Sequence, residues 1–292
     1  MITLGSAFSG IGGFELGLER SSIPDLRTIW QIEKNEFCRK VLARHWPNAL
    51  RYNDIEKLDY SGIEVPDILC AGFPCQDISV AGKQAGLKGE NSGLWYNLFE
   101  LIGILRPRIV LLENVPNVVN LGLPQICGAM AEIGYDMQWG IVSAASMGAP
   151  HLRRRWFAVA YPCDQWALLQ QKSGQHKEKV FTHRLGSAQD ASYSPCKHRK
   201  KNSKLSKRME EEQFVEYGSG ENRGFHPGNY WKGFPVKSGI CRRDDGIPNR
   251  LDRIRSLGNA IVPACSEYVG NCLVDSGLID HLIPRAICGG EK

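Results

Sequence analysis

The sequence predicts an α/β fold, a layered sheet covered by helices and interrupted by one irregular insertion. Three observations predict it. Short apolar runs alternate with amphipathic segments over the first 162 residues, the pattern of successive βαβ units. One of them, RPRIVLLENV, is nearly continuous in apolar character, as a central parallel strand covered on both faces should be. A glycine-rich turn in AFSGIGGFELGLE links a first strand to a first helix, a connection that lets a ligand approach the backbone at a helix start.

In chain order, the apolar runs give strands at Ile2–Ala7 and Thr28–Glu33, then a short third strand ending at Asp54. Further strands are expected at Asp67–Ala71, Arg108–Glu113, Met137–Ala144 and Arg155–Ala160. The amphipathic segments between them give helices at Gly13–Arg20, Glu36–His45, Trp95–Leu105 and Leu123–Ile133. After Tyr161 the texture changes. Residues 163–245 are rich in Lys, Gln, Ser and Gly, have poor periodicity and carry scattered aromatics, as in NYWKGFPV. They read as a small irregular domain or a partly disordered segment. Order returns over residues 246–292, where a last helix at Ala264–Leu282 should pack back on residues 1–162.

The 292 residues suit one large domain with an insertion, and 42% hydrophobic residues supply a core. No apolar stretch approaches the ~20 residues of a membrane span, and the N-terminus lacks the basic and apolar regions of a secretory signal. A cytoplasmic protein with no membrane association is expected. None of the ten cysteines forms a C-x-x-C pair, and Cys196 and His198 lack a second pair, so no metal site is expected. The net charge is +5, and KHRKKNSKLSKR at 197–208 holds seven Lys or Arg and no acid. That run is a solvated loop or a surface that meets phosphates.

Candidate chemistry gathers at the strand ends. Glu33 in WQIEKN lies 20 residues after Gly13 at the end of the next strand, where an acid can bond ribose hydroxyls. Asp54 in YNDIEKL is placed to accept from an adenine amino group. Each acid alone is equally readable as a solvated surface carboxylate. Cys75, in GFPCQDIS, follows the strand around ILCAG and precedes the glycine-rich stretch Ser79–Gly93, which is long enough to close as a lid. Cys70, inside the strand, reads as structural; Cys75, at the loop, reads as a nucleophile or one more small apolar residue. LLENV puts Glu113 and Asn114 at the same rim, the side on which open α/β sheets bind ligands.

Taken in order, F-x-G-x-G-G (Phe8–Gly13), Glu33, Asp54–Ile55, P-C-Q (Pro74–Gln76), E-N-V (Glu113–Val115), R-x-R (Arg153–Arg155) and G-N-A-x-x-P (Gly258–Pro263) resemble the cytosine-C5 DNA methyltransferases. The resemblance covers about residues 1–160 and 245–283. It implies an AdoMet-dependent methyltransferase (Rossmann-like) mixed-sheet sandwich. Residues 1–162 would be the catalytic domain, 163–245 the target-recognition region and 246–292 a segment returning to the catalytic domain. By the same resemblance S-adenosyl-L-methionine is the cofactor. Phe8 would stack on its adenine, and Gly10, Ile11, Gly12 and Gly13 would pass its methionine moiety. Glu33 would hold the ribose and Asp54 and Ile55 would bound the adenine. Pro74, Asn259 and Ala260 would complete the pocket, with Trp95 a further contact.

The resemblance further implies that Cys75 attacks C6 of a cytosine flipped out of double-stranded DNA, that Glu113 bonds N3, and that Arg155, with Arg153 beside it, bonds O2 and neighbouring groups. A monomer encoded by a bacterium or phage, with a cognate restriction endonuclease as a second partner, is the corresponding expectation. Asp77, Asn53 and His151 depart from the family's usual residues without removing a group the chemistry needs. The alternatives are an RNA (tRNA) cytosine-C5 methyltransferase on the same scaffold, a catalytically silent nucleic-acid-binding protein, and a nucleotide-dependent oxidoreductase.

Overall fold

The computed structural model describes residues 1–74, 93–163 and 250–282. The strands are β1 (Ile2–Ala7), β2 (Leu26–Ile32), β3 (Leu50–Tyr52), β4 (Ile68–Gly72), β5 (Ile109–Asn114), β6 (Tyr135–Ser143) and β7 (Arg154–Pro162). The helices are α1 (Gly13–Arg20), α2 (Glu36–His45), α3 (Leu94–Leu105), α4 (Val118–Leu121), α5 (Leu123–Glu132), α6 (Arg250–Asn259) and α7 (Pro263–Ser276). The strands form one sheet in the order β3-β2-β1-β4-β5-β7-β6. Among the described strands only β7 runs against its neighbours, pairing antiparallel with both β5 and β6. This is the mixed α/β sandwich expected.

Alternation along the strands builds two cores. Leu4, Ile68, Leu111 and Val159 face α1 and α7 on one side. Leu69, Val110, Leu112 and Ala158 face α3 and α5 on the other. All six residues of β5 are buried, which is why its first four, Ile109 to Leu112, are apolar without a break; Glu113 and Asn114 end it as buried polar residues. Each buried Leu, Ile or Val contributes roughly 1.5–3 kcal/mol when withdrawn from water.

Local signals set the element ends. Asn35 caps α2 by accepting from the Cys38 N–H at 3.1 Å. Arg106, with φ 51°, closes α3 in the left-handed conformation just before Pro107. The expected helix Ala264–Leu282 is shorter: α7 ends at Ser276 because Gly277, φ 77°, forms a left-handed cap, and a separate 3₁₀ turn follows at Ile279–His281. Helices α4 and α6 were not expected from periodicity. Helix α7 lies directly on α1, where Gly17 and Gly270 permit close approach and the Ser266 hydroxyl donates to the Gly13 carbonyl at 3.0 Å.

Candidate active site

The strand order reverses beside β1: β2 and β3 lie to one side and β4 and β5 to the other. A crevice outside the carboxyl ends of β1 and β4 is the expected ligand position in such a sheet. A cleft of about 330 Å³, open to solvent, lies there. Its walls come from distant parts of the chain, including Phe8 and Gly10 after β1, Gly72 and Glu113 on β4 and β5, and Asn259 and Ala260 at the end of α6.

The turn that floors this cleft is held in a rare conformation. Phe8 and Gly10 both have φ 55° and Gly12 has φ 86°. A non-glycine residue in that region costs of order 1–3 kcal/mol and needs surroundings that enforce it. The turn's own hydrogen bonds do so: Ser9 N–H donates to the Ile32 carbonyl and Gly12 N–H to the Ser9 carbonyl. Space is rationed residue by residue. A side chain at Gly12 would overlap the Trp46 ring, one at Gly13 would overlap the Ile261 carbonyl, and one at Gly10 would meet open space. Ile11 lies between them in the same turn.

The two acids at the strand ends are engaged within the protein. Glu33 accepts from the Gly10 N–H at 2.8 Å through Oε2 and from the Asn35 N–H at 2.7 Å through Oε1. It therefore ties the glycine turn to the end of β2, with lone pairs remaining on each oxygen. Asp54 forms an ion pair with Lys34 at 3.1 Å and accepts from the Glu56 N–H at 3.2 Å. Burial works to raise its carboxyl, and the Lys34 ammonium and the Glu56 N–H outweigh that, holding it below the ordinary value. Ile55 is buried beside it.

At the opposite wall, Glu113 is buried at the end of β5, and its Oε1 receives Arg155 Nε at 3.1 Å. Gly72 leaves room for the carboxylate: a side chain there would stand 3.1 Å from Oε2. Burial pushes the Glu113 carboxyl up to about 7, although the Arg155 and Arg153 charges pull it back. A carboxyl poised there changes protonation near neutral pH, as a general acid must. Arg153 turns elsewhere. Its guanidinium donates to the carbonyls of Gly258 and Ala260, fastening the segment that carries Asn259 to the start of β7.

Cys75 lies outside the described residues, as do Gln76, Asp77, nearly all of the glycine-rich stretch to Gly93, and the basic run at 197–208. The chain leading to Cys75 is described as far as Pro74, which is exposed at the rim. Among the described residues Trp95, like Glu33, Asp54, Ile55 and Pro74, stands outside the innermost lining of the cleft; its ring is buried against Phe73, with centroids 5.1 Å apart. Cys70 is fully buried within β4, and burial raises its thiol well above the ordinary value.

Two residues without an assigned role prove central. Asn114 is buried, and its side chain donates to the Phe73 carbonyl at 2.9 Å, fixing the backbone two residues before Cys75. Its place beside Glu113 in ENV was the signal for it. Ile261, inside G-N-A-x-x-P, lines the cleft and presses its carbonyl on Gly13.

A family profile described as C-5 cytosine-specific DNA methylase matches residues 2–242. Type II methyltransferase M2.BsuMI of Bacillus subtilis (strain 168) is 36% identical over 165 residues, covering 53% of this chain and 41% of that protein. Type II methyltransferase M.CviJI of Paramecium bursaria Chlorella virus IL3A is 35% identical over 157 residues, covering 52% and 41%. The matched region thus spans about two fifths of these relatives' length. The structure of the Entamoeba histolytica methyltransferase EhMeth covers 97% of this chain and 99% of its own, at 21% identity and a TM-score of 0.57, a likeness of fold.

Proposed function

The chain belongs to the C-5 cytosine-specific DNA methylase family, and from that premise we propose that it methylates C5 of cytosine in double-stranded DNA with S-adenosyl-L-methionine as donor. The observation that carries this reading is Glu113, a buried carboxyl poised near neutral pH and ion-paired to Arg155 across from the glycine turn. The turn suits the cofactor. Open space over Gly10, left-handed backbone at three of its positions and a wall of Asn259 and Ala260 leave a cradle that larger residues would fill. Phe8, Gly10 to Gly13, Glu33, Asp54, Ile55, Pro74, Asn259 and Ala260 would hold it, and it would supply an electrophilic methyl group.

The protein's own groups do the rest. Cys75, as thiolate, adds to C6 of the base and breaks its aromaticity, forming a covalent bond. Protonated Glu113 donates to N3, stabilising the charge that this addition pushes into the ring. Arg155 holds Glu113 in place through Nε and offers its remaining N–H groups to the base. The addition turns C5 into a nucleophile. Loss of the C5 proton after methylation lets the thiolate leave. Cytosine cannot reach such a rim while stacked in a duplex, so the base is flipped out. Arg153 acts as a positioning residue through the Gly258 and Ala260 carbonyls, and Asn114 positions the approach to Cys75. Residues 163–245 are the target-recognition region in this reading, which takes the protein as a cytoplasmic monomer with a cognate restriction endonuclease.

Two measurements test the proposal: bisulfite sequencing of DNA from cells expressing the chain, and transfer of labelled methyl from the cofactor to duplex DNA and to structured RNA. Methylcytosine at a recurring DNA sequence is expected. Labelling confined to RNA would overturn the substrate, and labelling of neither would overturn the activity.

A further inference from the structure

Beneath the glycine turn lies a buried polar cluster that the chemistry above does not use. Glu15 stands in the first turn of α1, where an acid ordinarily faces solvent and complements the helix N-terminus. Here it points inward and is 0% exposed. Below it, in register across the sheet, Ser6 on β1 stands between Gln31 on β2 and Cys70 on β4. Gln31 is also 0% exposed, and its Nε2 donates to Glu15 Oε1 at 3.1 Å. The second oxygen of each side chain, Glu15 Oε2 and Gln31 Oε1, is buried without a hydrogen-bond partner. Two unpaired acceptors in one buried pair should cost about 1–3 kcal/mol each. A single proton removes both defects. Placed on Glu15 Oε2, it makes that oxygen a donor and Gln31 Oε1 its acceptor, closing a cyclic acid–amide pair.

We propose that Glu15 and Gln31 form a neutral acid–amide pair, and that this pair is a positioning device for the turn that receives the cofactor. The second half rests on the proposed function; the first does not. The surroundings favour the neutral form. Burial favours it and outweighs the Glu15 backbone N–H, Gln31 and the Ser6 and Ser9 hydroxyls, which pull the carboxyl down, and among the described residues it forms no ion pair. The Cys70 thiol facing it from β4 is held uncharged by burial, and Ser266 from α7 donates to the Gly13 carbonyl, not to Glu15. Glu19, one turn further along α1, adds negative charge only. Burial pushes the Glu15 carboxyl up from 4.5 to about 7. The link to the turn is direct: the Ser9 hydroxyl donates to Ser6 Oγ at 2.9 Å, and Ser9 immediately precedes Gly10. A charged Glu15 would repel the Gln31 carbonyl oxygen and loosen α1 from β2, the two elements that bracket the turn.

The test uses the full chain and its Glu15→Gln and Gln31→Leu variants, with unfolding midpoints from about pH 5 to about pH 8.5 and calorimetric titration with S-adenosyl-L-methionine. A carboxyl that keeps its proton on folding gives stability that is full below 4.5 and lost as pH rises through about 7. Glu113, Asp136 and Glu267 are also raised by burial, so Glu15→Gln should reduce the pH slope without abolishing it. Because glutamine reproduces both bonds of the ring, this variant should fold and keep cofactor affinity within about twofold, whereas Gln31→Leu should lose about tenfold, the size of a lost buried hydrogen bond. An unchanged slope, or a Glu15→Gln chain that does not fold, overturns the neutral pair. Unchanged affinity in folded Gln31→Leu overturns the positioning role. Should the unsubstituted chain bind no cofactor, the proposed function fails together with the positioning role, and the pH slope still decides the pair.

Discussion

Replacing Glu113 with glutamine should make the protein more stable above neutral pH and nearly inactive. The carboxyl's folded value, about 7, lies above its ordinary 4.5. Such a group is protonated in the folded chain and ionised in the unfolded one between those values, so stability is full below 4.5 and falls as pH rises through about 7. At about 1.36 kcal/mol per unit, the full cost of ionising Glu113 in place comes to roughly 3 kcal/mol. That figure already contains the attraction of Arg155 and Arg153, whose charges lower the carboxyl against the larger effect of burial. Glutamine keeps an acceptor for Arg155 Nε and never ionises. The variant should therefore match the original protein near pH 5 and exceed it by about 2–3 kcal/mol near pH 8. Urea unfolding at the two pH values measures this directly. Methyl transfer should fall by about 10²–10⁴, the contribution of a positioned general acid. A variant destabilised equally at both pH values would mean that Glu113 stands ionised against Arg155, and the proton-donor role would then be wrong.

Other parts of the site make separate predictions. If Cys75 attacks C6, a target duplex carrying 5-fluorocytosine should leave a protein–DNA adduct on denaturing gels, absent in Cys75→Ser; an adduct that survives that substitution assigns the nucleophile elsewhere. Gly12→Ala meets both a left-handed backbone, φ 86°, and the Trp46 ring, so urea unfolding should register a loss of at least about 2 kcal/mol; an unperturbed midpoint would mean that Trp46 does not cover the turn. Neutralising Lys197, Arg199, Lys200 and Lys201 together should lower the salt dependence of DNA binding by up to about four units of slope, and an unchanged slope would make that run a solvated loop.

The elements readable in the sequence are those with strong local signals. β1, α1 and α2 fall on their expected residues because a glycine turn and clear amphipathic spacing mark them. The buried strand β5 announced itself by the unbroken apolar run Ile109 to Leu112. Features set by distant packing were not readable. Glu15 looks like a solvent-facing first-turn acid until Gln31 is found beneath it. Glu33 and Asp54 look like free ligands, yet each carboxylate already accepts a backbone N–H, so the same residues that would receive a cofactor also shape its seat. The packing of Trp95 on Phe73 joins residues far apart in the chain and could not be read from either segment alone.

The antiparallel β7 explains why an arginine reaches the carboxyl at all. A parallel strand beside β5 would end at the cleft rim and begin at the far side of the sheet. Running the other way, β7 begins at the rim, so the residues just after the β6–β7 connection arrive beside the end of β5. Glu113 pairs in register with Phe157, and Arg155, two positions earlier on the same face, meets its carboxylate. Arg153, with φ 27°, leaves that alternation and turns its guanidinium to Gly258 and Ala260. The entry to one reversed strand thus does two things within three consecutive residues: it sets a charge against the buried Glu113 carboxyl and clamps the segment carrying Asn259 to the cleft.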